Sequence, residues 1–480
     1  MNKNISDEVP RLHAYFEEHR KELLDDIMDM IRIPSVNAPE EKNAPFGVEC
    51  VRALEAITAR AEVFGLKPTI LENKVAYVDM NDCPAQLDIL AHVDVVPAGD
   101  GWSVTEPFVP LLRDGKLYGR GTCDDKGPAV AALYAMRAVR ELNIPLKYNV
   151  RLILGADEET GCRDTDCYYS HFKEAPCSYS PDGEYPVINL EKGGLYTSYS
   201  GTWEEKTVLP CIRRIDSGTV GNTVPGKAEA VIEGILTDEI AEVAIATEEQ
   251  TGIAFRWEEK NGCIVIYAEG KSTHASTPWE GNSALTGLLA LLMRLPFADC
   301  EGQCRLRGLA GLFPHGTFYG EAAGVAQADE LSGRLVLTSN VLHYAEGSMS
   351  GRIDCRAPMC ASEETVLEVL REKLAAYGLH LPESCKMIPP HYVPENSPFI
   401  QTLLGCYEQI MGELGRCLTI GGGTYAHFLK NDVAFGASQL GVDYHMHGAN
   451  EYLVVDEIVR STELFALTIV ALCGEHAEPM

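Results

Sequence analysis

With 480 residues, 46% of them hydrophobic, the chain has material for two or three domains and a sizeable core. Its formal charge of −30 argues against binding a nucleic-acid backbone, which needs basic patches, and its longest apolar run, near residues 464–473, is too short to span a bilayer. Sixteen irregularly spaced cysteines behind a charged, helical start with no apolar leader core point to a reducing cytoplasm.

Leu12, Phe16, Leu23, Ile27 and Met30 recur at helical spacing and predict an amphipathic helix over residues 10–33, stopped by Pro34. Residues 37–43 are a polar loop, and residues 50–64 a second helix ended by Gly65. Short strands over 68–71 and 75–80 lead into an apolar run, 87–94, read as a buried strand. Residues two apart on a strand share a face, so His92 and Asp94 point the same way. A neutral imidazole suits zinc, and an adjacent carboxylate can accept its other N–H and fix the tautomer. Taken alone, the pair also reads as a strand-end histidine capped by an aspartate.

Next comes GRGTCDDKGP, where Gly119, Gly121 and Gly127 permit tight turns. The helix that follows carries Pro128 near its first turn. Asp124 and Asp125 sit just before it, placed either to bridge cations or to cap the helix. A strand over 148–154 then runs into Asp157, Glu158 and Glu159. Three consecutive acids repel one another unless cations or donors balance them. One can ligate a metal while its neighbour stays free as a base; the plain alternative is a solvated acidic loop. Three such sites in order, each after an apolar strand, weaken the plain readings jointly. No Cys-x-x-Cys pair appears. Cys162 and Cys167 are weak zinc candidates, better read as ordinary thiols.

Strand–helix–strand order through residue 154 predicts an α/β fold, a mostly parallel sheet with helices on both faces and ligands at the strands' carboxyl ends. Asp182 precedes another apolar strand, 186–190. The pair Gly193-Gly194 marks a boundary. From 193 to 388, short β-like runs alternate with loops and two helices, 283–294 and 363–377, which suggests an inserted α+β domain. The first domain is therefore split, 1–192 and 389–480. It resumes with a helix over 398–411 and then LTIGGGTYAHFL. That glycine triplet can cradle an anion with backbone N–H groups, so Gly422, Gly423 and Thr424 are expected to line a substrate pocket. It is neither a P-loop nor a dinucleotide fingerprint. Residues 443–451 bring His445 and His447, and a helix over 456–473 closes the chain.

The series His-x-Asp, Gly-Arg-Gly-Thr-x-Asp-Asp-Lys-Gly and Asp-Glu-Glu-Thr-Gly resembles the co-catalytic di-zinc peptidase family of aminoacylases, carboxypeptidase G, succinyl-diaminopimelate desuccinylase and bacterial dipeptidases. Within it the chain looks most like the dipeptidase V, or Xaa-His dipeptidase, branch. The likeness continues in SPDGEYPVINLEKG, KSTHASTP, RIDCRAP, IGGGTYAHF and HGANE, nearly the whole chain. It implies His92 and Asp182 on one metal, His447 and Glu159 on the other, and Asp124 bridging both. Glu158 would be the general base, with Asp94 orienting His92. The spacing of Asn450 and Glu451 selects His447 over His445. In the inserted domain, a lid in relatives, His274 would donate to the oxyanion. Asn222 and Arg356 would grip the substrate's carboxylate or scissile carbonyl. His427 departs from the pattern, since many relatives carry Arg there.

The resemblance implies two divalent ions, zinc expected and Mn²⁺ or Co²⁺ possible. It further implies a small peptide substrate and, from the enlarged lid, a monomer. The activity expected is hydrolysis of dipeptides with a free amino terminus. The alternatives are an N-acyl-amino-acid deacylase or carboxypeptidase, a silent metal- or peptide-binding protein, and, weakest, a thiol-dependent hydrolase.

Overall fold

The strand Ala85–His92 lies in the middle of a nine-stranded sheet and is buried along nearly its whole length. The structure is a computed structural model that describes residues 6–204 and 208–480. It divides into two compact units, Met1–Glu191 with His391–Met480, and Lys192–Pro390.

In the first unit the sheet runs Lys67–Leu71, Val75–Asp79, Asn149–Gly155, Ala85–His92, Cys177–Ser180, Asp432–Ala434, Val187–Glu191 and His391–Tyr392, with Cys417–Ile420 also on Val187–Glu191. Its centre is parallel, from Asn149–Gly155 through Ala85–His92 and Cys177–Ser180 to Asp432–Ala434. The flanks are antiparallel except for Cys417–Ile420, which runs parallel to Val187–Glu191, so the expected parallel character belongs chiefly to the middle of a mixed sheet. The parallel strands are the ones that matter for a site, because their carboxyl ends open side by side.

The two faces are covered unequally. Leu87, Ile89 and Ala91 pack into the large core, to which the helices Val9–Ile31, Val48–Val63, Lys126–Glu141, Pro398–Met411 and Val455–Cys473 contribute. Each such fully buried Leu or Ile stabilises the unit by roughly 1.5–3 kcal/mol. Leu90 and Ile153 point the other way, into a small cluster with Tyr168, Tyr425 and Leu429. Two short elements supply that cover, Arg163–His171 and Tyr425–Phe428.

The second unit carries a seven-stranded sheet ordered Gly193–Thr202, Ser348–Ala357, Val336–Ala345, Cys211–Ser217, Lys227–Glu233, Cys263–Glu269 and Ala254–Lys260. Every neighbouring pair in it is antiparallel. Its helices include two beyond those expected, Thr237–Thr251 and Glu301–Leu312. The first buries only Ile240, Ala244 and Thr247, so its apolar stripe is faint. The second holds three glycines, which count against a helix in sequence. Gly308 is there for packing: a Cβ would stand 2.3 Å from the Tyr377 ring.

Candidate metal centre

Three adjacent parallel strands deliver the central groups. Ala85–His92 ends in His92, Asn149–Gly155 runs into the turn with Glu158 and Glu159, and Cys177–Ser180 is followed by Asp182. The loop before the helix Lys126–Glu141 adds Asp124, and the loop before Tyr452–Val454 adds His447. His92, Glu158 and Asp182 offer ligand atoms all within 4.8 Å of one another, as do His92, Asp124 and Glu159.

Asp124 stands between two imidazoles. Its Oδ1 lies 3.1 Å from His92 Nε2, and its Oδ2 lies 2.9 Å from His447 Nε2. Asp182 Oδ2 is 3.6 Å from His92 Nε2, and Glu159 Oε1 is 3.3 Å from His447 Nε2. One carboxylate thus has an oxygen on each side, with one further carboxylate beside each histidine. His92 Nε2 is buried and has no hydrogen-bond partner. A buried lone pair aimed at a cluster of carboxylate oxygens is what a cation would satisfy, and the donor set suits a di-metal centre.

Electrostatics make the same demand. Burial raises the pKa of Glu158 well above the usual carboxylate range, and the charges of Asp182, Glu159 and Asp124 push it further, against the pull of His92. Burial and Asp124 raise Asp182. Burial also raises Asp124, but His447 and His92 outweigh it and hold that carboxyl low. Hydrogen bonding to Asp124 and then Glu159 pushes His447 up to about 11. Carboxylates this close need added positive charge to remain ionised together.

The supports are as specific as the cluster. The central strand ends at His92, so Asp94 lies just beyond it, and strand alternation is not what brings the two together. The Asp94 carboxylate accepts the backbone N–H groups of Glu158 and Glu159 at 3.3 and 3.2 Å and stands 3.3 Å from His92 Nδ1. Asp125 does not cap its helix; its carboxylate accepts the His92 backbone N–H at 3.0 Å. Asp157 turns away from its two acidic neighbours to pair with Arg163 and Asn37. Lys126, fully buried, donates to the Met30 and Ile33 carbonyls at the end of the first helix.

Three more groups support the cluster, and of these only Glu451 was singled out in the sequence, as part of the motif that selects His447. Glu451 is buried against Arg120 at 2.5 Å and accepts the Gly121 and Cys123 N–H groups, tying the His447 loop to the Asp124 loop. Asp164 accepts from the Ala156 and Asp157 N–H groups and from the Tyr425 hydroxyl, which steadies the acidic turn. Gly155 lets them approach: a Cβ there would stand 1.9 Å from the Tyr425 hydroxyl. Glu191, at the end of its strand, accepts the Thr424 N–H at 3.2 Å and the Thr424 hydroxyl at 2.9 Å, with His427 Nδ1 at 3.0 Å. An acid closing the apolar run VINLE was the available signal for that last group.

Thr424 therefore needs correcting as a free anion cradle, because its donors are engaged by the chain's own Glu191. A Cβ at Gly422 would touch only Ile420, at 3.9 Å, and one at Gly423 would stand 3.5 Å from His427 Nδ1; Tyr425 after them packs edge-on to His92 at 6.3 Å. Of the two histidine alternatives, His447 joins the cluster, while the His445 ring packs against Tyr452. In the second unit, His274 pairs in a short ladder with Thr223, next to the exposed Asn222. The Ser276 backbone N–H donates to His274 Nδ1 at 3.2 Å, so the proton of the neutral ring sits on Nε2. Arg356 is buried, and its Nε and Nη2 bind Asp354 at 2.7 and 2.8 Å. The bidentate face expected to meet a substrate carboxylate is thus given to Asp354.

Residues 89–471 match the peptidase family M20/M25/M40, and the chain belongs to that family of metal-dependent peptidases, enzymes that hydrolyse peptide bonds. It is 33% identical over 464 residues to the putative dipeptidase YtjP of Bacillus subtilis, covering 94% of this chain and 97% of the relative. It is 30% identical over 468 residues to a Beta-Ala-Xaa dipeptidase of Lactobacillus delbrueckii subsp. lactis, covering 96% and 98%. In fold it resembles human carnosine dipeptidase 1, with a TM-score of 0.61, 16% identity, and 96% and 98% of the two chains covered. No helix among the described residues is long and apolar enough to cross a membrane.

Proposed function

We propose that this protein is a dipeptidase that hydrolyses short peptides with a free amino terminus at a two-metal centre. The observation that carries the reading is Asp124, whose two oxygens face two different imidazoles, with the Glu158 carboxylate beside them. The dipeptidase names of relatives aligned over almost the full chain support the substrate class. His92 and Asp182 would hold one ion, His447 and Glu159 the other, and Asp124 both. Zinc suits these ligands best, with Mn²⁺ or Co²⁺ as alternatives. When bound, such ions supply Lewis acidity and make a water acidic near neutral pH.

The remaining work falls to side chains. Glu158 takes the proton of the attacking water and returns it to the leaving amine, a task for which a raised carboxylate pKa is matched. Asp94 sets the Glu158 backbone through its carboxylate and the His92 ring through its backbone carbonyl, 3.1 Å from Nδ1. His274, with Nε2 protonated, has the donor that stabilisation of an oxyanion requires. Asn222, Gly422 and Gly423 are assigned to substrate contact, and Arg356 to a contact already oriented by Asp354.

The test is amino-acid release from a dipeptide panel with N-acetylated and tripeptide counterparts, using metal-stripped protein reloaded with Zn²⁺, Mn²⁺ or Co²⁺. Metal-dependent cleavage of the free dipeptides is expected. Cleavage of the acetylated compounds alone would replace the reading by a deacylase, and silence across the panel would leave a binding protein.

A further inference from the structure

A second group of metal-ligating side chains lies in the first unit and shares no residue with the centre above. Glu72 sits in the turn between the strands Lys67–Leu71 and Val75–Asp79. Cys167 and His171 lie four residues apart on the helix Arg163–His171, and so on one face of it. The three offer a carboxylate oxygen, a thiol sulfur and an imidazole nitrogen, all within 4.8 Å of one another.

Three details fit a ligand set better than a chance meeting. His171 Nδ1 is 2.9 Å from the Cys167 carbonyl oxygen, which can only accept, so Nδ1 carries the proton and the lone pair is on Nε2. That is the nitrogen facing Glu72 Oε1, at 3.9 Å. A histidine whose second nitrogen donates to a backbone carbonyl is oriented as metal-bound histidines are. Lys74 holds the other Glu72 oxygen, Oε2, at 2.8 Å, which leaves Oε1 on the His171 side. The two elements are also locked together beneath the cluster. Tyr77 on the strand packs edge-on to Tyr168 and Phe172, with ring centroids 5.6 and 5.1 Å apart.

We propose that Glu72, Cys167 and His171 form a separate zinc site, with Cys167 Sγ, His171 Nε2 and Glu72 Oε1 as protein ligands and water completing the set. Sulfur, nitrogen and oxygen donors together suit Zn²⁺, and the thiolate disfavours Mn²⁺ and Mg²⁺. Binding releases the thiol proton to solvent, so occupancy rises with pH. The bound ion ties the hairpin at one edge of the sheet to the helix that follows the Glu158–Glu159 turn. Its role is to hold that turn's support in place, not to take part in hydrolysis.

The test compares the full-length native protein with Cys167→Ser and His171→Ala. Zinc per chain is measured by mass spectrometry after equilibration with buffered Zn²⁺ from nanomolar to micromolar, and near-ultraviolet spectra are taken of the Co²⁺-loaded forms. The expected result is one more zinc per chain in the native protein than in either variant. A thiolate-to-cobalt band should be present in the native protein and absent from both variants, with peptide hydrolysis kept in all three. His171 is about half exposed, so its replacement leaves the fold intact. Equal zinc content in the native protein and either variant would overturn the proposal. So would a cobalt band that is missing from the native protein or survives in either variant, the latter because it would belong to another thiol.

Discussion

His92 and His447 face the two oxygens of one carboxylate, yet the chain builds them in opposite ways. His92 ends a buried strand and is itself fully buried; Asp94 holds its ring and Asp125 its backbone N–H. His447 comes from a loop, its side chain is 54% exposed, and its φ is +59°. His445 and Asn450 share that left-handed conformation. Such backbone costs roughly 1–2 kcal/mol per residue and must be held by neighbours. The neighbours are Asn450, whose Oδ1 accepts the Ser103 and Val104 N–H groups, and Glu451 on Arg120. One half of the centre is thus fixed by secondary structure and the other by side chains that grip the next loop.

The largest effect belongs to the group both halves serve. Glu158→Gln is expected to lower kcat by about 10²–10⁴-fold while native metal content is kept, read by steady-state kinetics beside metal analysis. An active Glu158→Gln enzyme would sink the assignment, and loss of metal would make Glu158 a ligand. Next comes the grip on the exposed half. Glu451→Ala leaves the Arg120 guanidinium buried without its partner, a loss of about 3–5 kcal/mol in urea unfolding. If the loop depends on that grip, the His447-side metal goes with it. A variant as stable as the native protein would show that His447 is held by something else.

Much of the strand-borne half was legible in sequence because burial and chemistry coincide there: apolar runs end in His92 and in Glu158 and Glu159, while Asp182, after the short strand Cys177–Ser180, was reached through the family motif. The loop-borne half was legible only as a family motif, since no periodicity marks His447, and nothing local separates it from His445 two residues earlier. What sequence missed has a common physical cause. Glu191 and Asp164 act through partners far away along the chain, Thr424 and Tyr425, so no spacing announces them, and Glu451 was read only as part of the His447 motif, not as the partner of Arg120. The donors of Thr424 and the fork of Arg356 looked available for substrate because their internal acceptors, Glu191 and Asp354, are visible only in three dimensions. The helix Glu301–Leu312 was hidden by its three glycines, of which Gly308 is required by packing against Tyr377.

A third prediction concerns the acidic turn. Burial, then the charge of Asp94, push Asp164 up to about 6 from an ordinary 3.8, against the Tyr425 hydroxyl and the backbone donors. The folded state therefore binds the extra proton between pH 4 and 6. The stability this contributes is fully present below about pH 4 and is lost as pH rises through 6, in total about 3 kcal/mol. Urea midpoints of the native protein and Asp164→Asn, followed from pH 4 to 7, should diverge in that direction. A constant difference would mean that Asp164 does not titrate in this window.

The smallest effect separates the two histidines most cleanly. His447→Ala removes a half-exposed side chain from a loop but leaves the Asp124 and Glu159 carboxylates without their imidazole, so unfolding of the metal-free protein should lose about 1–2 kcal/mol. His92→Ala leaves the Asp94 and Asp124 carboxylates without theirs and also empties a fully buried position, so its metal-free stability should fall further. Metal content should divide the same way. Without His447 the protein is expected to keep the ion held by His92, Asp124 and Asp182. Loss of His92 is expected to release both, because Asp124 then has nothing on its other side to hold its bridging position. Equal unfolding and equal metal loss in the two variants would mean that the burial of one histidine and the exposure of the other make no difference to how the centre is assembled.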